Sequence, residues 1–427
     1  MIKTFPPIFD GIRSFIRFII ESNYVQPILE VMLTKKILLV IASAVALAAC
    51  DAVNEPQVSY GEKVAGMDPN YVPMSLAVEV ANNYVKDKGI IMLTKSKELQ
   101  IKDSFSFTDD NDLPALHTIN YEEGGFVIVS GDERTYPVLA YSEDGYLPQD
   151  YDSYPGGLKI WIEDIRADID YLRNKSDETD SLTKYIWERF EKENPATRSQ
   201  PADTEYWNNL YDNSVGPLLS TTWHQTSPYN NYLPYISNGQ HAYVGCVPVA
   251  IAQIMRYFEY PSSYSWSQMP NNSANSHLYS LIDDIWSHLG VGINLHYDTT
   301  GTSVSHNYNI ANYLKNEFGY STASQMNYTK NSNYTIVRNE LIDYERPVIF
   351  KGTSGGEGHA WVCDGAHEWQ EDIIVNGQHN VYGYLRFHHV WGGSTSYNGW
   401  YAFTSFAPTN SIYDFGHNMK LVYNINP

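Results

Sequence analysis

The chain has 427 residues and a formal net charge of −21. This acidic balance argues against nucleic acid as a partner, because the phosphate backbone is itself anionic. The length predicts two or three domains, 43% hydrophobic residues supply enough apolar surface for their cores, and three cysteines cannot form a disulfide framework.

The first predicted element is a signal peptide that begins at Met32. Two lysines precede an apolar run over residues 37–49, which is too short to span a bilayer and ends in small residues. A signal peptide should begin a chain. We therefore expect translation to start at Met32, with residues 1–31 as a gene-model extension and residues 32–49 as a lipoprotein signal peptide.

The signal peptide ends in Leu47-Ala48-Ala49-Cys50, which resembles a bacterial lipobox. The resemblance implies that Cys50 becomes the lipidated N-terminus of the mature protein. The alternative is ordinary signal cleavage beside an incidental cysteine. Lipidation at Cys50 would place the protein outside the cytoplasm, anchored to a bacterial membrane or cell surface.

Residues 50–70 are polar, contain Pro and Gly, and are predicted to be a tether. A small α+β domain follows, and it contains no cluster of histidine, cysteine or paired carboxylates suited to catalysis. Its predicted elements are a helix capped at Ser75 and stopped at Gly89, strands over 115–120, 126–129 and 136–141, and helices over 158–172 and 182–190. Residues 195–203 hold two prolines and Arg198 and are predicted to be an exposed linker, where a protease would cut.

The second domain contains a helix that begins at Cys246. Its apolar residues follow helical spacing, at Val247, Ala250, Ile251, Ile254, Met255 and Phe258. Gly245 precedes the cysteine, and the positive potential of a helix N-terminus favours a thiolate, which is the nucleophilic form. The alternative is a buried structural cysteine, which is the commonest fate of a free thiol.

Two further residues complete a candidate catalytic set. His359 follows a glycine-rich loop at the start of a predicted strand, and a distant histidine on a strand is a common base for a thiol nucleophile. Gln225 precedes the Cys246 helix and offers an amide donor for an oxyanion. Each residue alone has an ordinary alternative, a surface or core histidine and a solvated loop glutamine, but their order along the chain favours catalysis.

The second domain resembles the streptopain family of bacterial cysteine peptidases, which has a papain-like fold. The matching stretches are Gln225 with Pro228-Tyr229-Asn230, Gly245-Cys246-Val247 with Ala252-Gln253-Ile254-Met255 and Tyr260-Pro261, Leu314 to Tyr320, and Gly358-His359-Ala360 with Asp364-Gly365-Ala366. The resemblance covers nearly all of residues 216–405. It implies that residues 204–427 form a cysteine peptidase domain that cuts protein or peptide substrates.

The resemblance also implies a role for each matched residue. Cys246 would be the nucleophile, His359 the proton acceptor and Gln225 the oxyanion donor. Gly358 and Thr302 would line the substrate cleft, although the family prefers serine at the second of these positions. The implied mechanism needs no metal and no cofactor, and no metal-ligand spacing or nucleotide motif is visible.

The sequence departs from the family pattern near residue 390. Where the family has asparagine, this chain has Val390, which cannot hydrogen-bond an imidazole, and the stretch that follows is two residues shorter. We map the first family tryptophan onto Trp391 and expect it to pack against and orient His359. His389 shares a strand face with Trp391, which leaves open a contribution to this orientation, and we interpret it as a cleft or surface residue.

The first domain is similar to the prosegment of the same family. The matching signature is Gly125-Phe-Val-Ile-Val-Ser-Gly-Asp132 followed by Val138-Leu-Ala-Tyr141. Residues 71–194 would then be an inhibitory prosegment that assists folding and blocks the cleft, and Arg198 a processing point.

The sequence therefore predicts an α+β protein, with a papain-like peptidase domain preceded by a small α+β prosegment. The predicted function is a secreted, lipid-anchored cysteine endopeptidase made as a zymogen. Two alternatives remain open: an inactive surface binding module of the same fold, suggested by Val390, and a cell-wall peptide amidase.

Overall fold

The computed structural model describes residues 68–88, 99–175, 181–191, 204–354, 357–375, 377–393, 397–403 and 418–427. All of them belong to one compact unit, Gly66–Pro427. The predicted extension and signal peptide, nearly all of the tether, and the linker 195–203 lie outside the described residues. In the part that is described, no helix combines the length and apolar character needed to cross a bilayer.

The described residues contain seven α-helices and thirteen strands. The helices are α1 (Met74–Lys88), α2 (Gly156–Lys175), α3 (Ser181–Glu191), α4 (Cys246–Phe258), α5 (Ser276–Leu289), α6 (Ile310–Phe318) and α7 (Lys330–Ile342). The strands are β1 (Ile101–Thr108), β2 (Pro114–Tyr121), β3 (Phe126–Ser130), β4 (Val138–Ser142), β5 (Thr204–Val215), β6 (Leu295–Tyr297), β7 (Thr302–Val304), β8 (Thr322–Asn327), β9 (Val348–Ser354), β10 (Glu357–Val375), β11 (Gln378–Val390), β12 (Gly399–Ala402) and β13 (Lys420–Asn426). This mixture of helix and sheet confirms the predicted α+β class.

The predicted prosegment is an antiparallel sheet, β1 to β4, with helices on both faces. Side chains on β3 alternate between two cores, as strand geometry requires. Phe126 and Ile128 join the core that contains α2, whereas Val127 and Val129 join the core that contains α1 and α3. One correction concerns α1: it begins at Met74, so Ser75 lies inside the helix and is not its cap.

The predicted peptidase domain, residues 204–427, is called the peptidase part below. It is built around α4 and the long hairpin of β10 and β11. The apolar residues of α4 are buried against α5, α6 and the near half of β10, as the helical spacing predicted. The first seven residues of β10 pair with β9, and its last ten pair with β5, while β11 runs along its other edge. This arrangement fixes His359, near the start of β10, opposite the N-terminus of α4.

The two predicted domains share one sheet and two cores. Strand β4 of the prosegment pairs with β12 of the peptidase part, through Tyr141 with Trp400 and Ala140 with Tyr401. The core around α2 also contains Trp361, Trp391 and Tyr401, and the core around α1 contains residues from the far half of the β10–β11 hairpin. The prosegment is therefore packed into the peptidase part over a broad contact.

Candidate active site

Cys246 is the first residue of α4, where the chain approaches β7 closely. Gly245 has a φ of 89°, and a Cβ atom on it would lie 2.9 Å from the Cγ2 atom of Thr302. Only glycine meets both requirements without strain. The glycine therefore places the thiol of Cys246 at the N-terminus of the helix, and the residue as a whole is partly exposed.

The thiol of Cys246 and the imidazole of His359 form a hydrogen-bonded pair. Burial is the largest single effect and acts to raise the pKa of Cys246, but the charge and hydrogen bond of His359 and two backbone hydrogen bonds together outweigh it, and the pKa is lowered. Hydrogen bonds from the backbone N–H groups of Ala360 and Val247 act in the same direction. The pair thus favours a thiolate, the reactive form of cysteine.

His359 responds in the opposite direction. Burial is the largest single effect and acts to lower the pKa of its imidazole, but the charge and hydrogen bond of Cys246, together with a backbone hydrogen bond to Trp391, outweigh it, and the pKa is raised. The imidazole Nε2 also donates to the backbone carbonyl of Trp391 at 2.8 Å, which stabilises the protonated ring. The two shifts together favour an ion pair of thiolate and imidazolium.

Gln225, Thr302 and Gly358 lie beside this pair. A cavity of about 710 Å³ adjoins Cys246. All of its described lining residues belong to the peptidase part, and they include Gln225, Tyr243, Cys246, His296, Tyr297, Asp298, Thr302, Gly358 and His359. The Nε2 atom of Gln225 donates to the carbonyl of Gly392 at 3.3 Å, and an amide nitrogen carries two hydrogens, so a second remains for another acceptor. Thr302 Oγ1 donates to the carbonyl of Tyr243 at 2.6 Å.

The prosegment contacts the other side of His359. A second cavity, of about 690 Å³, is lined by Ser153 and Pro155 of the prosegment together with His224, Gln225 and His359. The first two residues of α2, Gly156 and Gly157, pack closely against residues of the active site. A Cβ atom on Gly156 would lie 2.9 Å from the Cβ atom of His359, and one on Gly157 would lie 2.7 Å from the ring of Trp361.

Two residues near His359 differ from the sequence interpretation. The ring that lies parallel to His359 belongs to Trp361, with centroids 6.1 Å apart and planes 16° apart, whereas Trp391 contacts His359 through its backbone carbonyl. His389 is 8% exposed, so its interpretation as a cleft or surface residue was wrong. It is buried because β11 pairs it with Cys363 on β10, inside the core that contains Trp361 and Trp391.

The sequence contained part of the information that places Trp361 and His389. Strand alternation places Trp361 on the same face as His359, and His389 on the same face as Trp391. The pairing between the two strands was not visible in the sequence. Among the described residues, no group of three or more histidine, cysteine or carboxylate side chains is arranged to hold a metal ion.

Two family models match this chain. Residues 223–263 and 262–401 match the family model described as Peptidase C10 family, and residues 69–169 match the one described as Spi protease inhibitor. The first match contains Gln225, Cys246 and His359, and the second overlaps the predicted prosegment, residues 71–194, from its first residue to residue 169.

Relatives with curated descriptions are about a quarter identical to this chain over the aligned residues. The thiol protease/hemagglutinin PrtT of Porphyromonas gingivalis is 24% identical over 312 residues, which are 65% of this chain and 32% of that protein. Streptopain of Streptococcus pyogenes serotype M1 is 26% identical over 298 residues, which are 59% of this chain and 68% of streptopain. This chain therefore spans about a third of the length of PrtT.

A solved structure shows the same fold. It is a fragment of prointerpain A from Prevotella intermedia, a cysteine-to-alanine mutant, with 21% sequence identity and a TM-score of 0.51. The match covers 78% of this chain and 99% of the fragment. The shared part is thus a proenzyme fold, with prosegment and peptidase together.

The fold and the two family matches define a papain-like cysteine peptidase domain preceded by a prosegment of the Spi inhibitor class. Residues 223–401 of the peptidase domain match the Peptidase C10 family, and streptopain is among the similar proteins, as the motifs predicted. The individual roles of Cys246, His359, Gln225 and Trp391 stay predictions. Cys50 and Arg198 lie outside the described residues, and so do their predicted lipidation and processing.

Proposed function

We propose that this chain is the precursor of a secreted, lipid-anchored cysteine endopeptidase that uses Cys246 and His359. The observation that supports this most is the hydrogen-bonded pair of Cys246 and His359, with opposite pKa shifts, at the N-terminus of α4. The adjoining open cavity provides room for an extended peptide.

The mechanism follows from this pair. The thiolate of Cys246 attacks the carbonyl carbon of a peptide bond, and the oxyanion accepts hydrogen bonds from Gln225 Nε2 and from the backbone N–H of Cys246. The imidazolium of His359 gives its proton to the leaving amine, which departs and leaves an acyl-thioester. His359 then takes a proton from water, the hydroxide attacks the thioester, and the thiolate is released with the acid product.

A substitution of the nucleophile tests this proposal. Cys246→Ala should abolish hydrolysis of casein and leave a purified precursor uncut, and a thiol-reactive peptide inhibitor should label Cys246 in the unmodified chain. An unlabelled Cys246 would favour an inactive binding module. Turnover of purified cell wall without turnover of casein would favour a peptide amidase.

The anchor needs a separate test, because no described residue bears on it. Cells expressing the full chain are fed a clickable fatty acid, and the protein should take up the label and sediment with membranes. Cys50→Ser should remove both the label and the membrane association, while leaving the activity of the peptidase intact. A labelled Cys50→Ser variant would contradict lipidation at this residue.

A further inference from the structure

The imidazole of His359 is supported without a side-chain amide. Val390 offers no hydrogen-bonding group, and the Nε2 atom of His359 is held by the backbone carbonyl of Trp391 at 2.8 Å. That bond fixes one atom of the ring. The plane of the ring is set by the parallel indole of Trp361, with centroids 6.1 Å apart.

Trp361 is itself fixed by a hydrogen bond. Its indole Nε1 donates to Nδ1 of His389 at 3.1 Å, and both residues are buried. An indole has one donor and no acceptor, so this bond selects one orientation of the ring. Phe350 packs on the same indole, with planes 24° apart.

His389 has the properties that an acceptor needs. Burial, with a smaller contribution from the charge of His388, lowers the pKa of His389 to about 3. In the precursor the ring is therefore neutral at neutral pH, and its proton lies on Nε2 because Nδ1 accepts from Trp361. The ring also stacks on Trp391, with centroids 4.7 Å apart and planes 27° apart.

These contacts connect four residues, which we call the imidazole support: His359, Trp361, His389 and Trp391. His389 contacts Trp361 by a hydrogen bond and Trp391 by stacking, and these two residues are the ones that hold His359. His389 therefore links the two residues that hold His359.

We propose that His389 is a positioning residue for the catalytic imidazole, acting through Trp361 and Trp391. The inference rests on the proposed function, since it assigns His389 a task only if His359 is the proton acceptor. It goes further by explaining how this chain orients that histidine. His389 touches neither substrate nor the reacting atoms.

A purely structural role for His389 would give different results. In that case His389 would only accept the hydrogen bond of the buried Trp361 indole. Its loss would lower stability without altering turnover of the folded enzyme. A positioning role predicts a loss in kcat at nearly constant KM, because a misplaced imidazole affects the chemical step more than substrate binding.

The experiment compares four variants of the full chain after maturation. His389→Leu should lower kcat on the order of tenfold to a hundredfold, with KM changed less than about twofold. His389→Asn should recover most of the loss, since an amide oxygen can accept from Trp361 in place of Nδ1. Trp361→Phe should lower kcat, and adding His389→Leu to it should cause no further loss, because the two residues act through one bond.

His367→Leu is the matched control. His367 lies on β10 of the same hairpin and, like His389, contacts a tryptophan, here Trp369. Its ring forms a hydrogen bond with the carboxylate of Asp212, and it lies outside the imidazole support. Its kcat should stay within about twofold of the parent. The rate of Cys246 alkylation at neutral pH provides a second readout, and it should fall in His389→Leu but not in His367→Leu.

Two results would overturn the inference: a folded His389→Leu enzyme with unchanged kcat, or a His389→Asn enzyme no better than His389→Leu. If His389→Leu does not fold, Trp361→Phe decides the matter, because it removes the same hydrogen bond: a lowered kcat at nearly constant KM supports the inference, and a folded Trp361→Phe enzyme with unchanged kcat overturns it. An unmodified chain without turnover and without labelling at Cys246 would refute the proposed function itself, which is a different outcome.

Discussion

At the residue scale, the state of Cys246 is decided by opposing effects of burial and charge. Burial raises the pKa of the thiol, and His359 together with the backbone N–H groups of Ala360 and Val247 lowers it by more. For His359 the opposing effects leave the pKa raised. The reactive ion pair therefore exists above the lowered pKa of Cys246 and below the raised pKa of His359, and it is lost when the pH passes either limit.

We expect a matching pH profile for alkylation of Cys246 by iodoacetamide. The rate should reach half of its plateau at a pH below the ordinary thiol pKa of about 8.5. In His359→Ala the charge is gone and burial remains, so the midpoint should move to about 8.5 or above. Mass spectrometry of the labelled peptide follows Cys246 separately from Cys363, whose buried thiol has a raised pKa and serves as an internal reference. An unmoved midpoint in His359→Ala would contradict the ion pair.

The sequence could identify these two residues because they lie in motifs that carry their chemistry. It could not identify what holds His359, because the acceptor is the backbone carbonyl of Trp391, and every residue has a carbonyl. His389 was misread for a related reason. A histidine on a strand is buried or exposed according to what pairs across from it, and the β10–β11 register is a property of the folded chain.

At the element scale, elements with strong periodicity were the predictable ones. Helices α2 and α4 carry continuous apolar stripes, and both were located within a few residues. Strands β1 and β5 were missed. β1 is a mostly solvent-facing edge strand, and β5 is a polar segment that becomes a strand by pairing with the far half of β10. The single sheet that joins β4 to β12 also depends on such tertiary pairing.

Helix α2 provides a test of how the prosegment meets the active site. Gly157 has space only for hydrogen, since a Cβ atom would lie 2.7 Å from Trp361 and 2.9 Å from Trp391. Gly157→Ala should push the start of α2 away from these rings and loosen the prosegment. The precursor should therefore mature faster, which is measured by gel analysis of the purified chain over time.

The mature enzyme from Gly157→Ala should have unchanged kcat/KM, because the substituted residue leaves with the prosegment. Gly124→Ala is a suitable control. Gly124 lies in the prosegment with a φ of 97°, and a Cβ atom there would meet nothing closer than 3.6 Å. It carries backbone strain without the clash at the site. Equal acceleration in both variants would indicate general weakening of the prosegment and contradict a specific contact by α2.

At the scale of the whole molecule, the prosegment is attached far along the hairpin as well as at the active site. Arg386 on β11 is 1% exposed and donates to the hydroxyl of Tyr84 at 2.6 Å and to the carbonyl of Val138 at 2.8 Å, both in the prosegment. Its guanidinium also lies about 5 Å from rings of the prosegment and the hairpin. Those rings are Tyr84 at 5.3 Å, Tyr136 at 5.5 Å, Tyr141 at 5.5 Å and Trp369 at 4.9 Å.

Arg386 should therefore stabilise the precursor and be dispensable for catalysis. In a Cys246→Ala background, which should prevent self-processing, Arg386→Ala should lower the free energy of unfolding in urea by about 3 kcal/mol, because two charge-assisted hydrogen bonds are lost inside the core. With Cys246 intact, the same substitution should speed maturation and leave kcat/KM of the mature enzyme within about twofold.

Arg338→Ala supplies the comparison for this last prediction. Arg338 on α7 pairs with Glu368 and Asp343 within the peptidase part and is partly exposed, so its removal should cost about 1 kcal/mol or less. Arg338→Ala should not change the rate of maturation, because both ion-pair partners of Arg338 lie in the peptidase part. If Arg386→Ala and Arg338→Ala mature at the same rate, then Arg386 does not hold the prosegment, and its retention depends on the β4–β12 pairing, the shared cores and the contacts at His359.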